Sequence, residues 1–326
     1  MTDTDRIDAL VRDLESIPDV LDRAIDIDWL LPALAVATAR PYRRVLLAGL
    51  GSSRFAAMFA EDLFLGGAAQ LIVQPAGADR EPNADEQLLT IAISASGGTR
   101  EVLRTAERHR DHGKVIAITR NAASKLAAAA DAVAVLPVDA ESSGVSCTTF
   151  VATVAALLRL AVAMPAAPGS RMVPEAVREG LHRVAEATRT ILETRDEWLP
   201  PALDALATVE DIAVLSPWSQ RGAAEQAALH LRECPRRSAA AFETADWLHI
   251  GIYTALPGSG ILLFGGSPAE AEVEQVATDR GVALVRIPGE DALTRSTAAS
   301  LLAAELWRRV ADRARRPDAP PRNRGV

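Results

Sequence analysis

The chain has 326 residues, a formal net charge of −8 and 49% hydrophobic residues, enough to bury one large or two medium domain cores. Its acidic balance, with arginines scattered instead of clustered in a stripe, argues against nucleic acid as a partner. No apolar run reaches the roughly 18 residues of a membrane span, and the acidic start Met1-Thr2-Asp3-Thr4-Asp5-Arg6 does not read as a signal peptide, so a cytoplasmic protein with no membrane partner is expected.

Residues 4–40 read as helices, with Leu10, Val11, Leu14 and Ile17 at helical spacing. From Arg43 to Leu160, apolar runs at 45–48, 70–74, 89–93, 115–119 and 132–136 alternate with helical stretches, the pattern of a parallel sheet covered on both faces. Residues 165–170 (Pro-Ala-Ala-Pro-Gly-Ser) break the alternation, and a long helix from about Val173 to Trp198 is expected to end at Pro200-Pro201. The alternation then resumes, with strands at 212–215, 261–264 and 283–285 and helices at 223–232, 269–278 and 294–315. The expected layout is N-terminal helices (1–42), a first α/β lobe (43–165), a linker helix (166–207), a second lobe (208–316) and a proline- and arginine-rich tail (317–326).

Two strand ends carry the chemistry. Val45 to Ala48 runs into Gly49-Leu50-Gly51-Ser52-Ser53, and Leu88 to Ile93 runs into Ser94-Ala95-Ser96-Gly97-Gly98-Thr99. Each is a strand, a glycine- and hydroxyl-rich turn and a helix start, which together offer hydroxyls and free backbone N–H groups to a phosphate. Two cysteines, Cys147 and Cys234, are too few for a disulfide framework and lack neighbours at zinc spacing; Cys234 reads as packing. Glu233 ends an amphipathic helix stopped by Cys234-Pro235, where the helix dipole disfavours its charge and suits it to proton transfer. His109, His112 and His182 read as solvated residues on polar helical surfaces.

The two turns resemble those of the sugar isomerase (SIS) domain family, which binds phosphosugars through a Gly-Thr/Ser-Ser turn and a Ser-x-Ser-Gly-x-Thr turn. Gly144-Val145-Ser146-Cys147-Thr148-Thr149 resembles the family's Gly-Val-Ala-Ser-Thr-Lys segment, with Cys147 for serine and Thr149 for lysine. Gln226-Ala227-Ala228-Leu229-His230-Leu231-Arg232-Glu233 resembles Glu-Gly-Ala-Leu-Lys-Leu-Lys-Glu, whose last glutamate is the base of glucosamine-6-phosphate synthases. His249 follows Glu233 by 16 residues, the interval of the family's ring-opening histidine.

The resemblance implies two tandem doubly wound parallel-sheet lobes, flavodoxin-like three-layer sandwiches. It implies a 6-phosphorylated sugar held by Gly51, Ser52, Ser53, Ser94, Ala95, Ser96, Gly97 and Thr99, with Val145 and Cys147 beside it. Glu233 would be the base and His249 the acid or ring-opener, reaching its site from a neighbouring subunit of a homodimer. His249 also reads as a packed histidine in an apolar segment. His230 stands where the family has a lysine and reads either as a sugar contact or as an exposed helix residue.

Departures from the family pattern are read from the residues. Ala95 and Gly98 replace the family's glutamine and glutamate, Val326 stands where the synthase's Schiff-base lysine is expected, and no glutaminase domain is read before residue 43. The related fructosamine-6-phosphate deglycases use a glutamate and a histidine without that lysine. The expected activity is a proton shift between carbons 1 and 2 of a 6-phosphorylated amino- or ketosugar, with loss or gain of an amine and no metal or redox cofactor. The alternatives are a synthase-like aminotransferase or isomerase without its glutaminase, and a non-catalytic phosphosugar sensor.

Overall fold

A computed structural model describes residues 2–65, 69–165 and 173–314. The tail motif Pro321–Val326 and most of the Pro165–Ser170 break lie outside the described residues. In chain order the elements are α1 (Asp3–Glu15), α2 (Ile17–Ile25), α3 (Leu31–Thr38), β1 (Arg44–Gly49), α4 (Ser52–Leu65), β2 (Gln70–Pro75), β3 (Leu88–Ile93), α5 (Arg100–Arg110), β4 (Lys114–Thr119), α6 (Lys125–Ala128), β5 (Ala132–Val135) and α7 (Thr148–Ala163). There follow α8 (Pro174–Glu193), α9 (Arg195–Leu206), β6 (Asp211–Ser216), α10 (Arg221–Glu233), β7 (Ser238–Glu243), α11 (Thr244–Ile250), β8 (Gly260–Leu263), α12 (Glu270–Arg280), β9 (Ala283–Arg286) and α13 (Ala292–Ala314).

The described residues fall into two compact units, those within Ser16–Ala140 and Ser146–Thr188, and those within Met1–Glu15, Glu141–Val145 and Arg189–Val326. The N-terminal helices are thus divided, α1 belonging to the second unit and α2 and α3 to the first.

The first unit is built on a five-stranded parallel sheet in the order β2-β1-β3-β4-β5. Its inner strand β3 is buried at every position, because a strand covered by helices on both faces has no solvent side and reads as a near-continuous apolar run, interrupted here only by Thr90. Val102 and Ala106 of α5 pack onto Leu88, Ala92 and Val115 on one face. The helix α7 is buried on nearly all sides and packs against α4 and α2.

The second unit holds a four-stranded parallel sheet in the order β7-β6-β8-β9. Three of these strands are those expected from the sequence. The fourth, β7, escapes the sequence reading because its Ser-Ala-Ala-Ala-Phe-Glu run has no β-branched residue; it forms by pairing in register with β6 from Asp211↔Ser238 to Ser216↔Glu243.

The helix expected to end at Pro200-Pro201 does not end there. The chain breaks at Thr194 and restarts as α9, so both prolines lie inside that helix. Each interior proline costs about 3 kcal/mol. Burial of Leu199, Leu203 and Leu206 offsets this at about 1.5 to 3 kcal/mol each.

Candidate functional site

In the first unit the strand order reverses between β1 and β3, the place where an open α/β sheet takes its ligands beyond the carboxyl ends of its strands. Both hydroxyl-rich turns leave from this pair. After β1, Gly51 is exposed and its carbonyl accepts from Arg54 N and Phe55 N at 3.0 Å each, which starts α4 at the half-buried Ser52 and Ser53.

After β3 the turn is tied by its own hydroxyls. The buried Ser94 Oγ accepts from Gly97 N at 3.2 Å and lies 2.9 Å from Thr99 Oγ1. Ser96 is exposed, and its Oγ accepts from Gly98 N at 3.2 Å, so the hydroxyl proton can still be given to an anion. Thr99 is the N-cap of α5 but makes no side-chain capping bond. Gly97 has a φ of +64°, and a Cβ there would stand 2.1 Å from Ser124 Oγ. Only glycine lets the α6 start lie this close under the turn, where Leu126 N donates to Gly97 O at 3.1 Å. Ala95 is half-buried between these groups.

The Gly144–Thr149 segment is split, since the boundary between the units falls after Val145. In the second unit Val145 is buried and donates its N–H to Ser143 Oγ at 3.1 Å, while Ser143 Oγ donates to Asp13 at 2.8 Å. In the first unit the buried Cys147 stands at the N-cap position of α7 without a side-chain capping bond, followed by the buried Thr148 and Thr149.

Glu233 is the last residue of α10 and its side chain is exposed. Desolvation by the surrounding protein nonetheless pushes its carboxyl above the ordinary value of 4.5, opposed by the Arg232 and Arg6 guanidiniums. The helix end is folded back on itself. Cys234 N donates to His230 O at 2.9 Å, Arg237 N to Leu231 O at 3.0 Å, and Arg236 sits in the left-handed region at φ +57°. Burial, and then the charge of Glu233, push the Cys234 thiol up to about 12, so it stays protonated and packs as expected. A cavity of about 290 Å³ opens here, lined by Cys234, Pro235, Arg236, Arg237 and Trp307 among others.

Sequence reasoning missed Arg6. It lies on α1 with its guanidinium 5.2 Å from the Trp307 ring centroid, and nothing in the sequence links it to a helix end more than two hundred residues away. His249 is exposed near the end of α11, where Gly251 caps the helix. A cleft of about 460 Å³ lies between β7 and the stretch from Tyr253 to Ile261, and none of the sequence-selected residues lines it.

Burial excludes one of the two readings of His230 and corrects that of His109. His230 is not an exposed helix residue: its ring is buried, with Nε2 at 2.8 Å from Gln226 Nε2 and Nδ1 at 2.8 Å from Ser300 Oγ. Since the Gln226 amide N–H donates and Ser300 Oγ gives its own proton to Ser296 O, these contacts assign the ring proton to Nδ1. His109 is not solvated either. It is fully buried, with Nδ1 at 2.8 Å from Thr90 Oγ1 and Nε2 at 3.9 Å from the Glu81 carboxylate, and burial holds its pKa below the ordinary value. The signal was present as the stripe Val102, Thr105, Ala106, His109 at helical spacing. His112 and His182 are exposed, as expected.

A family comparison places a SIS domain model on residues 40–163, which include both hydroxyl-rich turns and α7. A comparison with curated protein sequences returns no match. Among solved structures, the fold around and beyond the SIS domain is similar to the C-terminal domain of glucosamine-fructose-6-phosphate aminotransferase from Francisella tularensis, with a TM-score of 0.73 at 14% identity over 93% of this chain and 95% of that one. It is also similar to glucosamine-6-phosphate deaminase from Thermotoga maritima, with a TM-score of 0.72 at 17% identity over 96% and 98% of the two chains. Tagatose-6-phosphate ketose/aldose isomerase from Escherichia coli gives 0.72 at 16% identity over 91% and 92%. At these identities the likeness establishes the fold, which is shared over both units. Among the described residues no helix is long and apolar enough to cross a membrane.

Proposed function

We propose that this protein is a phosphosugar enzyme that moves a proton between carbons 1 and 2 of a 6-phosphorylated amino- or ketosugar, as a deglycase or isomerase that releases or takes up an amine. The observation that carries the reading is the turn at Ser94–Thr99, which lies within the SIS domain and presents the exposed Ser96 hydroxyl beside a helix start without a side-chain cap. Ser53, Ser96 and Thr99 hold the phosphate with Gly51 and Ser52 at the neighbouring turn, while Ser94, Ala95 and Gly97 shape the pocket floor. The structural relatives named above, each named for a 6-phosphorylated sugar, support this class of substrate.

Glu233 is the base in this reading. A carboxyl with a raised pKa gives up and regains a proton more readily near neutral pH than an ordinary glutamate does. His249, exposed on α11, opens the sugar ring or protonates the departing group, supplied by a second copy of the chain in a homodimer. Val145 and Cys147 flank the sugar through the segment that opens α7. His230, fixed between Gln226 and Ser300, acts by holding α10 on α13.

The test is proton exchange. The protein incubated in deuterated water with fructose 6-phosphate and ammonium, or with a 6-phosphorylated 1-amino ketose, should place deuterium at carbon 1 or 2 of the sugar, seen by proton NMR. Phosphosugar binding without exchange on any such substrate would replace the enzyme by a sensor.

A further inference from the structure

Each sheet reverses its strand order at a central pair, β1/β3 in the first unit and β6/β8 in the second. The turn after β3 is tied by neutral hydroxyls. The turn after β8, Phe264 to Ala269, is tied by a charge. The backbone N–H groups of Gly266 and Ser267 both donate to Glu270 Oε1, the second at 2.8 Å, with Gly266 at a φ of +99° that suits only glycine. Glu270 opens α12, so its carboxylate reaches back over its own helix N-terminus.

Its other oxygen pairs with Arg286, which also lies 2.5 Å from Glu274. Arg295, the next guanidinium, is fixed on Gly289 O at 2.9 Å and Gln220 Oε1 at 3.0 Å. Desolvation works to raise the Glu270 pKa, but the bonds from Arg286, Ser267 and Gly266 outweigh it and hold the group below its ordinary value, so it is ionised at neutral pH. In the first unit the helix after the turn, α5, opens with Arg100 instead of an acid, and the acidic residue of its first turn, Glu101, pairs with Arg100.

We propose that Glu270 is a built-in anion that takes, in the second unit, the place phosphate takes in the first, closing the β8 turn to phosphate and limiting each chain to one phosphosugar. The proposal rests on the phosphate reading of the Ser94–Thr99 turn. A second anion would find the Gly266 and Ser267 N–H groups already taken by the Glu270 carboxylate, where in the first unit it meets hydroxyl donors. The 13 residues of α10 span about 20 Å between the carboxyl edge of β6 and Glu233, so the closed turn is remote from the proposed base within its own unit.

Equilibrium dialysis with radiolabelled inorganic phosphate, on the full chain, counts the sites. Wild type should bind one phosphate per chain, Ser96→Ala with Thr99→Val none, Glu270→Ala two, and the combined variant one. Values of one, none, one and none would overturn the role of Glu270. Values of none, none, one and one would keep it while rejecting the phosphate reading of the first unit. Should Glu270→Ala fail to fold, amide NMR on the wild type decides: phosphate should shift Ser96, Thr99 and Arg100 and leave Gly266 and Ser267 unmoved. A shift of Gly266 and Ser267 would show an open second turn and sink the proposal.

Discussion

Gly97 and Ser124 are pressed together so closely that a single added carbon on Gly97 would fall 2.1 Å from the Ser124 hydroxyl. Ser124 is at the same time the N-cap of α6, accepting from Ala127 N at 3.2 Å. The contact therefore fixes the Ser94–Thr99 turn on a second helix start. Gly97→Ala adds both a left-handed non-glycine residue, about 1 to 2 kcal/mol, and an overpacked contact, about 1 to 3 kcal/mol. Chemical denaturation should show a loss of about 2 to 5 kcal/mol. Ser124→Ala should cost only about 1 kcal/mol, the usual loss of a cap, and a Gly97→Ala chain as stable as wild type would mean that the turn is not held this way.

His109 makes stability depend on pH. Its pKa lies below 6.5 in the folded chain, chiefly through burial, with the Glu81 carboxylate opposing. Between the folded value and 6.5 the unfolded chain binds the extra proton, so this contribution is complete above 6.5 and is lost as pH falls through the folded value. Arg108, 3.7 Å from Glu81, Thr105, whose hydroxyl donates to Glu81, Thr90 and the charge of Arg44 also face the pair. Unfolding free energies from pH 8 to 5 should decline by at most about 1.4 kcal/mol per pH unit from this residue. That part of the slope should vanish in His109→Gln; an unchanged slope would place the titrating group elsewhere.

Glu233→Gln keeps the size of the side chain and removes the proposed base. Turnover should fall about 100-fold or more while phosphosugar affinity stays within a few-fold. In the wild type, kcat/KM should fall on the acid side as Glu233 is protonated, with a midpoint above the ordinary 4.5 because desolvation raises the group. Arg6→Ala removes a cation that opposes this rise and should move the midpoint further up. A midpoint that does not respond to Arg6 would detach the limb from Glu233.

Alanine at His249 separates ring opening from amine chemistry. The rate on a cyclic phosphosugar should drop more than the rate on an open-chain analogue. Equal losses would put His249 at the amine, and no loss would make it a surface residue of α11.

Much of this architecture was legible because buried parallel strands announce themselves. Val45–Ala48 is an unbroken apolar run and Leu89–Ile93 is interrupted only by the buried Thr90; both end in glycine and hydroxyl residues, and the turns appear where those runs stop. The strand β7 was not legible, since alanines carry no strand signal and its existence depends on an open edge of β6. His109 was hidden by its arginine-rich surroundings, although its place in the apolar stripe of α5 follows from counting in threes and fours. Arg6 and Ser124 could not be found from sequence, because their importance comes from contacts with Trp307 and Gly97 that only the folded chain creates. The Gly265-Gly266-Ser267 turn was not singled out in the sequence, because its closure by Glu270 depends on where the first turn of α12 points a carboxylate.

The most direct test of the central claim is calorimetric titration of a 6-phosphosugar into wild type and into the Ser96→Ala, Thr99→Val double variant. The variant removes two hydroxyl donors, each worth about 1.5 to 3 kcal/mol to a charged acceptor. Binding should weaken at least tenfold in a chain whose thermal unfolding is otherwise near that of the wild type. Unchanged affinity in that folded variant would contradict the account, because the phosphate would then be bound away from the Ser94–Thr99 turn.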